Sequence, residues 1–303
     1  MPGSVRIKLY AESLRLGRWP RSLAILPGVI ATLIFHRERI PEILQWSGGG
    51  RILLAFVLTW IVSTANYIVN EITDAPYDAF HPGKKNRPLV RGEINPWILI
   101  VCWFFLVVVA AVLSLTFFKT SFSLSLGALL IAGILYNVPP LRVKDIPYLD
   151  STLESANNPI RFLIGWYVLE SAFPPLWLLL SWWAFGNFLM VGKRVAEKKF
   201  LSEAESAGYR MSLNKYSLEG LIAFMGANAA LVIVAFAAFA WSSGITLLLY
   251  SLPFILIYLL IFIRKTIQDR DAAEEPEKLL RNPLFALYTI FLAIILLTAV
   301  FWR

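Results

Sequence analysis

The chain has 303 residues, of which 58% are hydrophobic, 14% aromatic and only 16% charged, and its mean hydropathy is +0.65. That is too apolar for a soluble domain of this length and predicts an all-α integral membrane protein. The net charge of +8 does not point to nucleic acid, because the bases sit in short connections between apolar runs rather than on a separate basic domain. Membrane lipids and phosphate groups are the partners it fits.

Residues 1–20 are basic without an apolar core of their own, and no small-residue cleavage pattern follows, so a cytoplasmic N-terminal segment is expected rather than a removed signal. A membrane helix takes roughly 20 apolar residues, and by that measure about nine candidates follow. They centre on 22–36, 52–70, 97–118, 121–137, 159–172, 176–192, 218–241, 244–263 and 284–302. Gly48, Gly49 and Gly50 predict a flexible tip in the connection 37–51, and Pro174–Pro175 predict a tight turn between the fifth and sixth runs. Most of the 28 Lys and Arg fall in the N-terminal segment and after the even-numbered runs, which assigns those connections to the cytoplasm. No connection is long enough to divide the chain, so 1–303 reads as one membrane domain.

The second apolar run ends in a polar series. Asn66, Asn70, Asp74 and Asp78 recur every fourth position, which keeps the last three on one flank of a helix end, with Asn66 a turn deeper. Pro76 is expected to disturb or end the last turn. Carboxylates at the end of a membrane span need water, a cation or a partner. Hard oxygen ligands without histidine or thiol favour Mg²⁺, which is commonly held by one or two carboxylates plus substrate phosphates. Lys84, Lys85 and Arg87 follow directly; the plainer alternative is a solvated loop in which these bases pair with the acids. His36 and His81 are too few and too far apart for a histidine metal site.

Asn70-Glu71-Ile72-Thr73-Asp74-Ala75-Pro76-Tyr77-Asp78 resembles the first signature of the UbiA superfamily of intramembrane prenyltransferases, Asn-Asp-x-x-Asp-x-x-x-Asp, with Glu71 in place of the first Asp. Lys84, Arg87, Pro88 and Gly92 are similar to the family's basic continuation. The resemblance covers nearly the whole chain. It implies about nine helices around a lipid-accessible cavity, with Mg²⁺ joining Asn70, Asp74 and Asp78 to a diphosphate and with Asp74, Asp78 and Lys84 catalytic.

Further along, Tyr136-Asn137-Val138-Pro139-Pro140-Leu141-Arg142-Val143-Lys144 is similar to runs common in that superfamily. The prolines stop the helix and fix an extended exit. Arg142 and Lys144 are then either phosphate ligands or orientation signals. Asp150, Glu154 and Asn158 share a helical face with Arg161 nearby, as a buried network or as a border of the cavity in which Asp150 and Arg161 bind sugar or phosphate.

After the sixth run the family carries a second Asp-rich motif, whereas this chain reads Gly192-Lys193-Arg194-Val195-Ala196-Glu197. Together with Tyr209, Arg210 and Tyr216, and with His81-Pro82-x-Lys84, this looks most like the polyprenyl-phosphate phosphoribosyltransferase branch. Lys193 and Arg194 are expected to bind an anion directly, with Asn66, Lys84, Arg87, Tyr209 and Arg210 among the other substrate-binding residues. The alternative for Lys193 and Arg194 is a topological stop.

The expected reaction is transfer of 5-phosphoribosyl from its 1-diphosphate to a polyprenyl phosphate at the cytoplasmic membrane face. The alternatives are a conventional prenyltransferase acting on an aromatic or lipid acceptor, and a non-catalytic membrane protein or transporter.

Overall fold

The computed structural model describes residues 3–41, 45–79, 84–200, 211–268 and 281–302, and among these the regular structure is helical throughout. The chain separates into two compact units, Met1–Lys144 with Ile160–Ala172, and Asp145–Pro159 with Phe173–Arg303. The two units are interleaved in sequence, where a single domain over 1–303 was expected.

The first unit contains α1 (Gly3–Ser13), a 3-10 stretch over Leu16–Ile25, α2 (Leu26–Phe35), α3 (Trp46–Asp78), α4 (Pro96–Phe117) and α5 (Thr120–Asn137). It also holds the second half of α6 (Leu149–Trp166). Helix α3 has 33 residues, about 50 Å at 1.5 Å per residue, against a hydrocarbon layer of about 30 Å. Its ends therefore project into the polar interface.

Gly48–Gly50 lie inside the first turns of α3 rather than in a loose tip. Gln45, in an extended conformation, accepts from the Gly48 and Gly49 N–H groups at 3.1 and 3.2 Å, which starts the helix before the glycines can open it. At the other end α3 runs through Pro76 to Asp78. A proline this close to a helix C-terminus removes one hydrogen bond without ending the rod. Helix α4 is started by Pro96 at its first turn and by the Asn95 side chain, which accepts from Trp97 N–H at 2.9 Å. Its outer face, with Phe104, Phe105, Val108, Val112 and Leu115 exposed, is suited to lipid.

Close packing within this unit depends on absent side chains. A Cβ on Gly28 would stand 2.0 Å from the Phe162 carbonyl oxygen, and one on Gly165 would stand 1.9 Å from that of Ile25. Gly133 leaves room for Asn66, whose Nδ2 donates to the Leu129 carbonyl at 2.8 Å. Small residues at such crossings are how membrane helices approach closely when no hydrophobic force separates helix from lipid.

The second unit contains the first half of α6, α7 (Leu176–Phe200), a helical turn at Met211–Asn214 and α8 (Leu218–Ser242). A 3-10 turn (Thr246–Ser251), α9 (Leu252–Gln268) and α10 (Pro283–Phe301) complete it. Phe188, Val191 and Val195 of α7 pack with Leu221 and Met225 of α8, Phe262 of α9 and Phe285 of α10. Gly192 admits the Phe262 ring edge, and Asn187 donates to Asn228 Oδ1 at 3.0 Å inside the α7–α8 contact.

Among the described residues six helical segments are long and apolar enough to cross a membrane, in α3, α4, α5, α8, the 3-10 turn with α9, and α10. The other three expected spans fall short for separate reasons. Helix α2 has 10 residues, α6 carries Asp150, Glu154 and Arg161, and α7 dilutes its apolar residues with Ser181, Gly186, Asn187 and Gly192 before its charged stretch begins at Lys193.

Gly28→Val should destabilise the protein by about 1–3 kcal/mol through overpacking, read as a lower thermal midpoint in detergent. Gly127→Ala meets nothing within 4 Å and should raise that midpoint by no more than about 1 kcal/mol of helix propensity.

Candidate active site

The last turns of α3 carry Glu71, Asp74 and Asp78, and three other segments bring bases to them. The turn after α5 supplies Arg142 and Lys144. Arg142 Nη2 donates to Asp74 Oδ1 at 3.0 Å and Nη1 to the Thr73 carbonyl at 3.1 Å, while the guanidinium lies 4.3 Å from the Tyr77 ring centroid. Lys144 Nζ donates to the same Asp74 oxygen, to Asn137 Oδ1 at 2.9 Å and to Asn70 Oδ1 at 3.4 Å. An ammonium offers three donors, matched by one carboxylate and two amide oxygens. Arg142 holds φ +30°, outside the ordinary range for a side-chain-bearing residue, and these contacts anchor it there.

The segment after α3 supplies Lys84 and Arg87. Arg87 Nη1 donates to Asp78 Oδ2 and lies 3.4 Å from Glu71 Oε2; Lys84 Nζ is 3.3 Å from Asp78 Oδ1. The turn after α1 supplies Arg15, whose Nη2 donates to Glu71 Oε2 at 2.7 Å. Glu71 and Asp78 are 3% and 5% exposed. Charges that deep cost several kcal/mol each unless paired, so Arg15, Lys84, Arg87, Arg142 and Lys144 make these acids tolerable.

Among the described residues no three acidic, histidine or cysteine side chains converge as a ready cation cage. Even so, Lys144 Nζ bridges Asn70 Oδ1 and Asp74 Oδ1, so two of the three expected Mg²⁺ ligands already share one cation. Asp78 is held separately by Lys84 and Arg87. Hard oxygens one helical turn apart, without soft ligands, fit a divalent ion that brings phosphate oxygens for its remaining positions. Asn66 is tied to α5 instead; its Oδ1 is buried without a hydrogen-bond partner.

In the second unit Arg194, 1% exposed, is enclosed by acids. Nε donates to Asp150 Oδ2 at 3.0 Å, Nη1 to Glu197 at 2.7 Å and Nη2 to Glu154 at 2.8 Å. Asp150, fully buried, also accepts from Ser212 Oγ at 3.3 Å and from the Tyr216 hydroxyl, which itself accepts from Tyr148 N–H at 2.7 Å. Burial, and then the Asp150 charge, push the Tyr216 hydroxyl well above its ordinary pKa, so it remains a proton donor to Asp150.

Arg194, expected to grip an anion directly, has each of its nitrogens facing an acid in the structure. Lys193 differs: it is 22% exposed and its Nζ is 3.9 Å from Glu197. Asp150 and Arg161 fall in different units. Arg161 belongs to the first unit, where Nη2 reaches Ser63 Oγ at 3.5 Å and Nε is buried without a hydrogen-bond partner. Tyr209, Arg210 and His81 lie outside the described residues.

Several participants were not legible beforehand. Glu71 departs from the expected Asp, and Arg15 reads in sequence as one more N-terminal base. Asn137, Tyr77, Glu154 and Glu197 acquire roles only through their partners. The one available signal was Glu71, a second acid beside Asp74 in an apolar helix.

The all-helical fold that carries this acidic helix end is shared with solved structures of UbiA-type membrane proteins. A UbiA homologue from Archaeoglobus fulgidus bound to GPP and Mg²⁺ superposes with a TM-score of 0.66 at 17% identity, covering 96% of this chain and 98% of that one. A digeranylgeranylglyceryl phosphate synthase matches with a TM-score of 0.66 at 17% identity over 97% of each chain.

Residues 25–295 match the UbiA prenyltransferase family, and the chain belongs to it. In sequence it is 27% identical over 212 residues to the decaprenyl-phosphate phosphoribosyltransferase of Mycobacterium tuberculosis, spanning 68% of this chain and 65% of that one. It is 25% identical over 146 residues to the protoheme IX farnesyltransferase of Stenotrophomonas maltophilia, covering 46% and 48%. The chain thus matches just under two thirds of the phosphoribosyltransferase's length.

Arg194→Met leaves three acids around an uncharged side chain and should cost about 3–5 kcal/mol, seen as a large fall in thermal midpoint or loss of folded protein. Lys193→Met, partly exposed, should change stability by less than about 1 kcal/mol. Equal losses would show that the enclosure of Arg194 does not set its cost.

Proposed function

We propose that the chain transfers 5-phosphoribosyl from phosphoribosyl diphosphate to a polyprenyl phosphate at the cytoplasmic face of the cell membrane. One observation carries this reading: within the first unit, among the described residues, the five bases Arg15, Lys84, Arg87, Arg142 and Lys144 pair with the three acids Glu71, Asp74 and Asp78. That cationic surplus suits a substrate with more negative charge than a lone diphosphate. The similarity to phosphoribosyltransferases of decaprenyl phosphate supports it.

Asn70, Asp74 and Asp78 would hold Mg²⁺, which supplies neutralising charge to the departing diphosphate. Lys84 and Arg87 exchange carboxylate oxygens for diphosphate oxygens as the C1–O bond to the leaving group breaks. Arg142 and Lys144 make the same exchange beside Asp74. A lipid phosphate oxygen forms the new bond to C1; it is already an anion, so no proton has to be removed. An apolar groove of about 290 Å³, lined by Ile68, Val69, Ile72, Thr73, Trp103 and Ile134, begins at the Asp74 turn and accommodates isoprenoid chain. Lys193 is assigned to a phosphate of the substrates.

A second reading is a conventional prenyltransferase using an allylic diphosphate at the same acids. The same groove favours it, and the solved neighbours bound to GPP or DMAPP with Mg²⁺ support it.

Purified protein with Mg²⁺ and polyprenyl phosphate should form product from labelled phosphoribosyl diphosphate. Product from a labelled allylic diphosphate alone would establish the second reading instead. Asp74→Asn should lower turnover about 100-fold or more, and full activity would remove the metal site. Lys193→Ala should raise KM for a phosphate substrate with stability unchanged; an unaltered KM returns Lys193 to topology.

A further inference from the structure

A cavity of about 290 Å³ in the first unit is not used by the residues that grip Asp74. Its lining includes Glu12, Ser13, Arg15, Arg18, Glu71 and Arg87. The turn after α1 builds most of it: Leu14 N–H donates to the Tyr10 carbonyl at 2.9 Å, Arg15 N–H to that of Glu12 at 3.0 Å and Arg18 N–H to that of Arg15 at 2.9 Å. Arg15 sits there at φ +51°, a left-handed conformation that side-chain-bearing residues adopt rarely. It is kept in place by the 2.7 Å bond to Glu71 and by the Tyr67 ring, 5.8 Å from its guanidinium.

One atom of this lining lacks what it needs. Ser13 is 3% exposed and its Oγ has no hydrogen-bond partner. A buried hydroxyl in that state is unfavourable, and a turn of the Ser13 side chain about χ1 toward the cavity would let a ligand oxygen satisfy it. Around it three guanidinium groups offer the forked donors that phosphate takes in pairs, while Glu12 and Glu71 offer carboxylate oxygens that accept from hydroxyl groups. Both signs together suit a phosphorylated sugar. An isoprenoid tail has no group for any of them. Arg87 connects this cavity to the other half of the site, because the same Nη1 contacts Asp78 and Glu71.

The geometry points to this cavity as the seat of the ribose 5-phosphate half of the donor, and hence as the feature that separates a phosphoribosyl donor from an allylic one. The inference rests on the phosphoribosyl reading above. It assigns Arg18 and Arg15 to the 5-phosphate, Ser13 to a phosphate or ribose oxygen, and Glu12 with Glu71 to the ribose hydroxyls.

The test is calorimetric titration of the detergent-solubilised full chain with ribose 5-phosphate and, separately, with inorganic diphosphate and Mg²⁺. Arg18→Gln and Ser13→Ala should each weaken ribose 5-phosphate binding about 10-fold and leave diphosphate binding within about twofold. Their thermal midpoints should stay close to the parent's, since contacts of an exposed side chain such as Arg18 contribute little to stability and Ser13 Oγ bonds nothing in the fold. No binding of ribose 5-phosphate by the parent, unaltered affinity in both variants, or equal weakening of both probes overturns the assignment. Ribose 5-phosphate binding without any transfer from phosphoribosyl diphosphate would keep the cavity and remove the reaction. Transfer with binding untouched by both variants would keep the reaction and remove the cavity.

Discussion

Carboxylates at the end of a membrane helix must be compensated, and the first unit is arranged by that requirement. Glu71, Asp74 and Asp78 come from one helix, while their partners come from the turn after α1, the segment after α3 and the turn after α5. Apolar packing brings two of those segments close, since Leu9, Tyr10 and Leu14 of α1 and its turn, and Leu89 after α3, cluster with Ile68 and Ile72 of α3. Each of the three brings a cation, and charge-assisted bonds to buried acids are strong enough to order irregular backbone, including Arg15 and Arg142 at positive φ. The acids are therefore structural and chemical at once. A base bonded to a carboxylate oxygen is positioned to bond a phosphate oxygen, so exchange between them needs little rearrangement.

The second unit meets the same constraint with the signs reversed. There one guanidinium satisfies three acids, and Tyr216 and Ser212 complete the coordination of Asp150. The network ties the first half of α6 to α7 and to the chain between residues 211 and 216. Breaking it strands buried charge, whereas its intact net energy is modest because desolvation offsets the attraction. Its evident effect is to specify which helices pair, as Asn187 and Asn228 do nearby.

The local signals were readable in advance where a pattern and its consequence lie within a few residues. Four-residue spacing put Asn70, Asp74 and Asp78 on one flank, the proline pair ended α5 before Arg142, and apolar runs announced six spans. Among the described residues the expected count of nine is not confirmed, because α6 and α7 carry polar residues, some of them in interior networks, and α2 is short. Pro76 and Gly48–Gly50 are helix breakers by propensity, yet both lie in α3. Propensity is a weak prior that neighbouring hydrogen bonds and packing override.

By itself the sequence determined that the chain is a helical membrane protein, which helix end bears the acids and which bases follow. Those conclusions depend on composition and periodicity. Tertiary structure alone decided the pairing: that Arg142 and Lys144 meet Asp74, that Arg15 meets Glu71, and that Arg194 meets three carboxylates. The reason is physical. A cation's role is set by the acids within a few ångströms of it, and here many of those acids lie more than 40 residues away in the chain.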